Sequence, residues 1–101
     1  MKLSVRVGCS GSYVVETTDA LGVEEIGTCT FHGYKLSLVT FTNNAARNNY
    51  VCSTCGFDGS TARGVIERKA RQFGGRVVAG DRYLVQVPNA AAEQSVRDAL
   101  G

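Results

Sequence analysis

Four residues in the middle of the chain have the spacing of metal ligands. Two residues separate Cys29 from His32, nineteen separate His32 from Cys52, and two separate Cys52 from Cys55, with a glycine after each pair. Two intervening residues let a tight turn direct both side chains at one ion, and four sulfur or nitrogen ligands suit tetrahedral Zn²⁺. The spacing predicts a closed structural zinc site made of Cys29, His32, Cys52 and Cys55.

The segment around these residues resembles the zinc-ribbon superfamily. Residues Cys29–Gly33 look like a first zinc knuckle and residues Tyr50–Phe57 like a second, and the resemblance covers residues 27–58. Zinc ribbons commonly serve in transcription, translation and other nucleic-acid machinery, or as scaffolding inside enzymes. The resemblance therefore implies a nucleic-acid-associated context for this chain.

The remaining cysteine, Cys9, leaves alternatives open. It ends an apolar strand pattern, which favours a buried thiol, but it could also replace His32 as the fourth zinc ligand. The cysteines could instead be ordinary thiols or disulfides, and disulfides require an oxidising compartment. Cys52 and Cys55 also have the spacing of a dithiol redox pair, although the glycines and aspartate after Cys55 favour a loop over the helix that such a motif begins.

The composition is that of a globular protein. The chain has 101 residues, of which 44% are apolar and 20% charged, and its net charge is +2, values unlike those of disordered chains. No apolar run approaches the roughly 20 residues that cross a membrane, and the first residues lack the apolar region of a secretory signal. We expect one cytoplasmic domain, 1–101, comprising a β-rich zinc-ribbon-like part, 1–59, and an αββα part, 60–101.

Hydrophobic patterning predicts strands in the first half. Apolar residues alternate over 3–9, which predicts a half-buried strand. The β-branched segment 13–18 predicts a return strand that pairs with it as a hairpin, and 34–42 predicts a third strand. An asparagine pair then caps a short helix through 45–47. The acidic segment 16–25 could face a basic protein surface, and its simpler interpretation is an acidic loop.

The second half has clearer element boundaries. Ser60 is expected to cap a helix over 61–73, whose apolar residues share one side and which a glycine pair ends. A hairpin follows over 76–87, with glycine supplying the positive φ in its Gly80–Asp81 turn. Asn89 caps a final helix. This order predicts an α+β fold with a zinc-braced N-terminal β part followed by helix, β-hairpin and C-terminal helix.

Basic residues cluster around the predicted helix 61–73. Residues 61–76 include five basic residues and one acidic residue, Glu67. Such a patch suits phosphates or a nucleic-acid-bound partner, with Tyr50, Phe57 and Tyr83 as stacking surface. The simpler interpretation is a solvated helix face, since the net charge is small. The candidate partner-binding residues are Arg63, Arg68, Lys69, Arg71, Arg76 and Arg82.

These patterns favour a binding module over an enzyme. A single histidine without a nucleophile motif argues against a hydrolytic triad, and four ligands would close a metal site to substrate. We expect a non-catalytic, zinc-stabilised regulatory or accessory module that docks on a nucleic-acid-processing complex through protein surface, phosphates or both. A phage- or plasmid-encoded inhibitor of host machinery fits this size and composition. The alternatives are a dithiol redox protein using Cys52 and Cys55, and a direct nucleic-acid binder through helix 61–73.

Overall fold

One antiparallel sheet joins the two halves of the chain. A computed structural model describes residues 2–16 and 20–101. The elements in chain order are α1 Leu3–Val7, β1 Ser10–Glu16, β2 Val23–Phe31, β3 Tyr34–Phe41, α2 Asn44–Val51, α3 Arg63–Gln72, β4 Val77–Gly80, β5 Tyr83–Gln86 and α4 Ala90–Leu100. The strand order is β1-β2-β3-β5-β4, with every neighbouring pair antiparallel. The predicted α+β class is confirmed.

Helices pack on both faces of this sheet. Successive side chains of a strand point to opposite faces, so Leu38 and Val39 enter two different apolar clusters. Leu38 lies with residues of α1 and α4, and Val39 lies with residues of α2 and α3. None of the helices within residues 2–16 and 20–101 has the length and hydropathy needed to cross a membrane.

The predicted first strand is wrong, because residues Leu3–Val7 form helix α1. Leu3 and Val7 lie one helical turn apart and are both buried in the core, whereas Val5 is 62% exposed. A strand would have placed Val5 on the same face as its two apolar neighbours. The helix ends at Gly8, whose φ of +90° is the left-handed conformation that glycine adopts most readily.

The predicted hairpin between 3–9 and 13–18 is also wrong. β1 pairs instead with β2, in a register that places Ser10 opposite Thr30 and Glu16 opposite Ile26. The end of the predicted strand, Thr17 and Thr18, lies outside the described residues. The acidic segment 16–25 is not simply a loop, since its first residue ends β1 and its last three begin β2.

Two asparagine caps and the third strand are confirmed. Asn43 caps α2 and Asn89 caps α4, and each side chain accepts the backbone N–H three residues later at 2.8 Å. β3 fills the predicted range except for its last residue. α2 continues to Val51, beyond the expected 45–47, and its Asn48 is fully buried and donates from Nδ2 to the carbonyl of Asp58 at 2.6 Å.

Helix α3 begins without the predicted serine cap. Its N-cap position is Ala62, which offers no side-chain hydrogen bond. Ser60 instead donates from Oγ to the carboxylate of Asp58 at 2.6 Å, which stabilises the preceding turn. The predicted glycine stop is confirmed, since Gly74 follows the helix with a φ of +85°.

The turn of the β4–β5 hairpin lies one residue later than predicted. Gly80 pairs with Tyr83 in the ladder, so the turn consists of Asp81 and Arg82. Arg82, not glycine, has the positive φ, at +59°. Gly80 is required for another reason: a Cβ atom there would lie 1.9 Å from Cζ of Tyr83, so the tyrosine ring packs directly on the glycine.

The two edge strands of the sheet differ in protection. The backbone N–H of Ala79, in β4, donates to Oε2 of Glu67 at 2.8 Å, so a side chain of α3 occupies this edge. At the other edge lies β1, in which Val14 is 55% exposed and Val15 56% exposed. No strand among the described residues pairs with the outer side of β1.

Candidate functional site: the cationic face of helix α3

The four cysteines form two disulfides rather than a zinc site. Cys9 pairs with Cys29 and Cys52 with Cys55, at Cα–Cα distances of 5.7 and 5.5 Å. No group of three or more His, Cys, Asp or Glu residues within 2–16 and 20–101 is arranged to hold a metal ion. The prediction of a Zn²⁺ cofactor is therefore wrong, both in the version with His32 as the fourth ligand and in the version with Cys9.

The sheet explains why the predicted ligands do not meet. Cys29 lies in β2 and its side chain is buried on the face covered by α1 and α4. Cys52 follows α2, which packs on the opposite face. His32 lies in the two-residue turn between β2 and β3, exposed and stacked on the ring of Phe31 at 4.2 Å. The sheet thus separates the two halves of the predicted tetrad.

Three of the six candidate basic residues already have partners. Arg76 pairs with Glu93 at 3.1 Å and Arg82 with its neighbour Asp81 at 3.6 Å. Lys69 donates to the side chain of Gln72 at 2.8 Å and also lies over the ring of Phe73, four residues later in the chain. These contacts reduce the capacity of the three residues to bind a partner.

The other three candidates, Arg63, Arg68 and Arg71, are exposed and make no ion pair within the described ranges. Arg68 and Arg71 are three residues apart, a separation that makes them neighbours on a helix surface. Arg63 and Arg71 are eight residues apart, or about 12 Å along the axis. We call these three residues the cationic face.

Glu67, the acidic residue of α3, does not neutralise this face. Its carboxylate accepts two hydrogen bonds from the guanidinium of Arg97, at 3.0 and 3.2 Å, and a third from the backbone N–H of Ala79. The hydrogen bonds that Arg97 donates to Glu67 raise the pKa of Arg97. Glu67 lies four residues from both Arg63 and Arg71, but its acceptor atoms are directed toward α4 and β4.

A buried cation lies near the N-terminal end of α3. Arg47 is 2% exposed, and its guanidinium donates to Oδ1 of Asn48 at 3.0 Å and to the carbonyl of Gly80. Burial lowers the pKa of Arg47, and the charge of Arg63 lowers it further. The two cations therefore repel each other, and an anion near Arg63 would relieve that repulsion. The sequence offered no signal for this burial beyond the short capped helix.

An aromatic groove lies at the C-terminal end of α3. Of the three aromatics predicted to stack, Tyr83 is buried and Phe57 packs against the core, whereas Tyr50 is 42% exposed. Phe73, expected on the apolar side of the helix, is 66% exposed. The two exposed rings line a groove of about 180 Å³. We define the aromatic groove by Tyr50, Phe73, Ala70, Val77, Leu84 and Gln86.

Comparisons with known proteins do not assign a function, so any proposal rests on the residues described above. The chain matches no protein-family model, no curated protein and no solved structure.

Proposed function

We propose that the protein is a non-catalytic accessory module that docks on a nucleic-acid-processing complex by binding phosphates through the cationic face. The observation that carries this proposal is the set of three exposed arginines, Arg63, Arg68 and Arg71, in a helix whose acidic residue, Glu67, is bound by Arg97 and Ala79. Arginine presents a planar array of donors that matches phosphate oxygens, often in pairs.

The dimensions of the face suit a phosphate backbone. Arg63 and Arg71 span about 12 Å of helix, which corresponds to three or four phosphates along one strand of a DNA duplex, at about 3.4 Å each. For a single strand, three phosphate contacts predict that the logarithm of affinity falls linearly with the logarithm of salt concentration, with a slope of about −2. A fourfold rise in salt should therefore weaken binding by roughly twentyfold.

The alternative of a dithiol redox protein has less support. Cys52 is the C-cap of α2, and its backbone N–H donates to the carbonyl of Asn48. The negative end of a helix dipole disfavours the thiolate that thiol–disulfide exchange requires, whereas redox pairs typically occupy the positive end. Cys52 is also only 6% exposed. Catalysis of insulin reduction by dithiothreitol would test this alternative directly.

The cytoplasmic location remains a prediction, and the two disulfides oppose it. Disulfides persist in oxidising compartments and are rare where glutathione and thioredoxin keep thiols reduced. We propose on this ground that the module works where Cys9–Cys29 and Cys52–Cys55 stay oxidised. Rapid alkylation of thiols in intact cells, followed by mass spectrometry, tests this. Full alkylation would restore the cytoplasmic location.

Binding of labelled oligonucleotides tests the proposed function. Fluorescence anisotropy with a 20-nucleotide strand and a 20-base-pair duplex is measured at 50 and 200 mM salt. We expect the wild-type protein to bind with the salt dependence given above. The triple substitution R63E/R68E/R71E should reduce affinity at least tenfold at 50 mM salt. A matched control makes the same change of charge at three exposed bases outside α3, as K2E/R6E/K35E.

Circular dichroism establishes first that both variants retain the fold. A control that loses less than threefold in affinity supports the cationic face as the binding surface. Absence of binding by the wild-type protein at 50 mM salt would overturn the proposal. Equal losses in the two triple variants would overturn it as well, because they would show dependence on net charge alone.

A further inference from the structure

We propose that the aromatic groove binds an unpaired base of single-stranded nucleic acid, so that the cationic face holds the backbone of a single strand rather than a duplex. This inference rests on the proposed function and names the class of nucleic acid. It begins from Phe73, which remains 66% exposed at the end of an amphipathic helix. An aromatic side chain left in water forgoes the stabilisation that burial would give.

The backbone holds Phe73 in a defined position. Its N–H donates to the carbonyls of Lys69 and Ala70, at 3.3 and 3.1 Å. Gly75 then donates to the same carbonyl of Ala70 at 2.9 Å, which closes the end of the helix. The exposed ring is therefore on a capped helix end rather than on a free loop, and this preorganisation lowers the entropic cost of stacking.

Tyr50 and Gln86 supply the other parts of the groove. The rings of Tyr50 and Phe41 form a T-shaped contact, with centroids 5.4 Å apart, which orients the Tyr50 ring while leaving that residue 42% exposed. Gln86 lines the groove and is exposed, and its amide carries both donors and an acceptor for a base edge. The groove volume of about 180 Å³ is below the range typical of drug-sized ligands, so it suits one flat ring system.

Charge near the groove favours a nucleic acid as its occupant. Lys69 Nζ lies 5.9 Å from the centroid of the Phe73 ring. Arg71 and Arg68 precede that ring by two and five residues, about 3 and 8 Å along the helix axis. Proteins that bind single strands combine cations along the backbone with aromatic rings for the bases. A duplex keeps its bases stacked inside, so it could use the arginines but not the groove.

Phe73→Ala separates this inference from the proposed function. Because Phe73 is exposed, its removal should leave the fold intact, and Val65→Ala, at another exposed apolar residue of α3, is the matched control. We expect Phe73→Ala to weaken binding of the 20-nucleotide strand about tenfold, within the roughly 5- to 150-fold expected for loss of one stacked base. Duplex binding and the salt slope should stay unchanged, and Val65→Ala should change neither affinity.

Crosslinking provides a second measurement that does not depend on affinity. Strands containing 5-bromouracil, irradiated with the wild-type protein, should crosslink to Phe73 or Tyr50, as mapped by mass spectrometry of the peptides. Unchanged single-strand affinity in Phe73→Ala, or duplex binding as tight as single-strand binding, would overturn the groove assignment while leaving the cationic face intact. Binding to an acidic peptide but to neither oligonucleotide would overturn both proposals in favour of a protein partner.

Discussion

Glu67→Ala removes the carboxylate through which helix α3 is hydrogen-bonded to Arg97 of α4 and to Ala79 of strand β4. The substitution leaves the N–H of Ala79, a residue 6% exposed, without an acceptor, which costs roughly 1–3 kcal/mol. Arg97 also loses its paired hydrogen bonds, but its side chain is 35% exposed, so solvent screening limits that loss to about 1 kcal/mol or less. Together we expect the free energy of unfolding to fall by about 2–3 kcal/mol, which corresponds to a melting temperature roughly 10–20 °C lower.

Urea unfolding of the oxidised protein at pH 7, followed by far-UV circular dichroism, measures this loss. Glu67→Gln retains an acceptor oxygen for the Ala79 amide and should lose only about 1 kcal/mol. Asp98→Ala, which removes an exposed hydrogen bond with Gln94 on α4, is the control and should change stability by about 0.5 kcal/mol or less. The reasoning is refuted if Glu67→Ala matches the wild-type protein, or if Glu67→Gln is equally damaging.

Two further predictions concern the disulfides and acid stability. EDTA should leave the melting temperature unchanged, whereas replacing Cys9 and Cys29 by alanine should destabilise by about 3 kcal/mol, because that disulfide spans 20 residues. Replacing Cys52 and Cys55, which are only three residues apart, should lower the free energy of unfolding by about 2 kcal/mol. A fall in melting temperature on addition of EDTA would contradict the disulfide assignment, because it would reveal a bound metal. Burial alone would raise the pKa of Glu93, but hydrogen bonds from two arginines outweigh it and hold the pKa below its usual 4.5. That stabilisation is present above pH 4.5 and lost as pH falls through the folded pKa, so Glu93→Gln should flatten the stability curve between about pH 5 and 2 in urea titrations. An unchanged acid slope in that variant would contradict the assigned ion pairs.

Local signals predicted the parts of the fold that depend on local chemistry. Asn43 and Asn89 cap helices because a side-chain acceptor beside free N–H groups satisfies them whatever the rest of the fold does. Leu3, Val5 and Val7 illustrate the opposite case. Three alternating apolar residues fit a strand, but two of them also fit one helical turn, and packing against α4 decides between the two.

The cysteine pairing could not be derived from spacing because it depends on which strands are neighbours. Cys29 meets Cys9 only because β1 pairs with β2, and β2 was missed since its first residues include Glu24 and Glu25. The arginines of the cationic face remain a prediction from the sequence, and their freedom from ion pairs could not be foreseen because it depends on Arg97, more than 25 residues away in the chain. Phe73 was expected on the apolar side of the helix, but its ring is 66% exposed and joins neither apolar cluster.

The unequal edges of the sheet limit how copies of this protein can associate. A bare outer strand with two exposed valines is a template for another strand, and β1 is such a strand. At the opposite edge, the carboxylate of Glu67 occupies the Ala79 amide, so strand addition there would have to displace this hydrogen bond. Two molecules joined through β1 would have β4 at both ends, and the bound Ala79 amide there disfavours further strand addition, which favours a pair over a fibre.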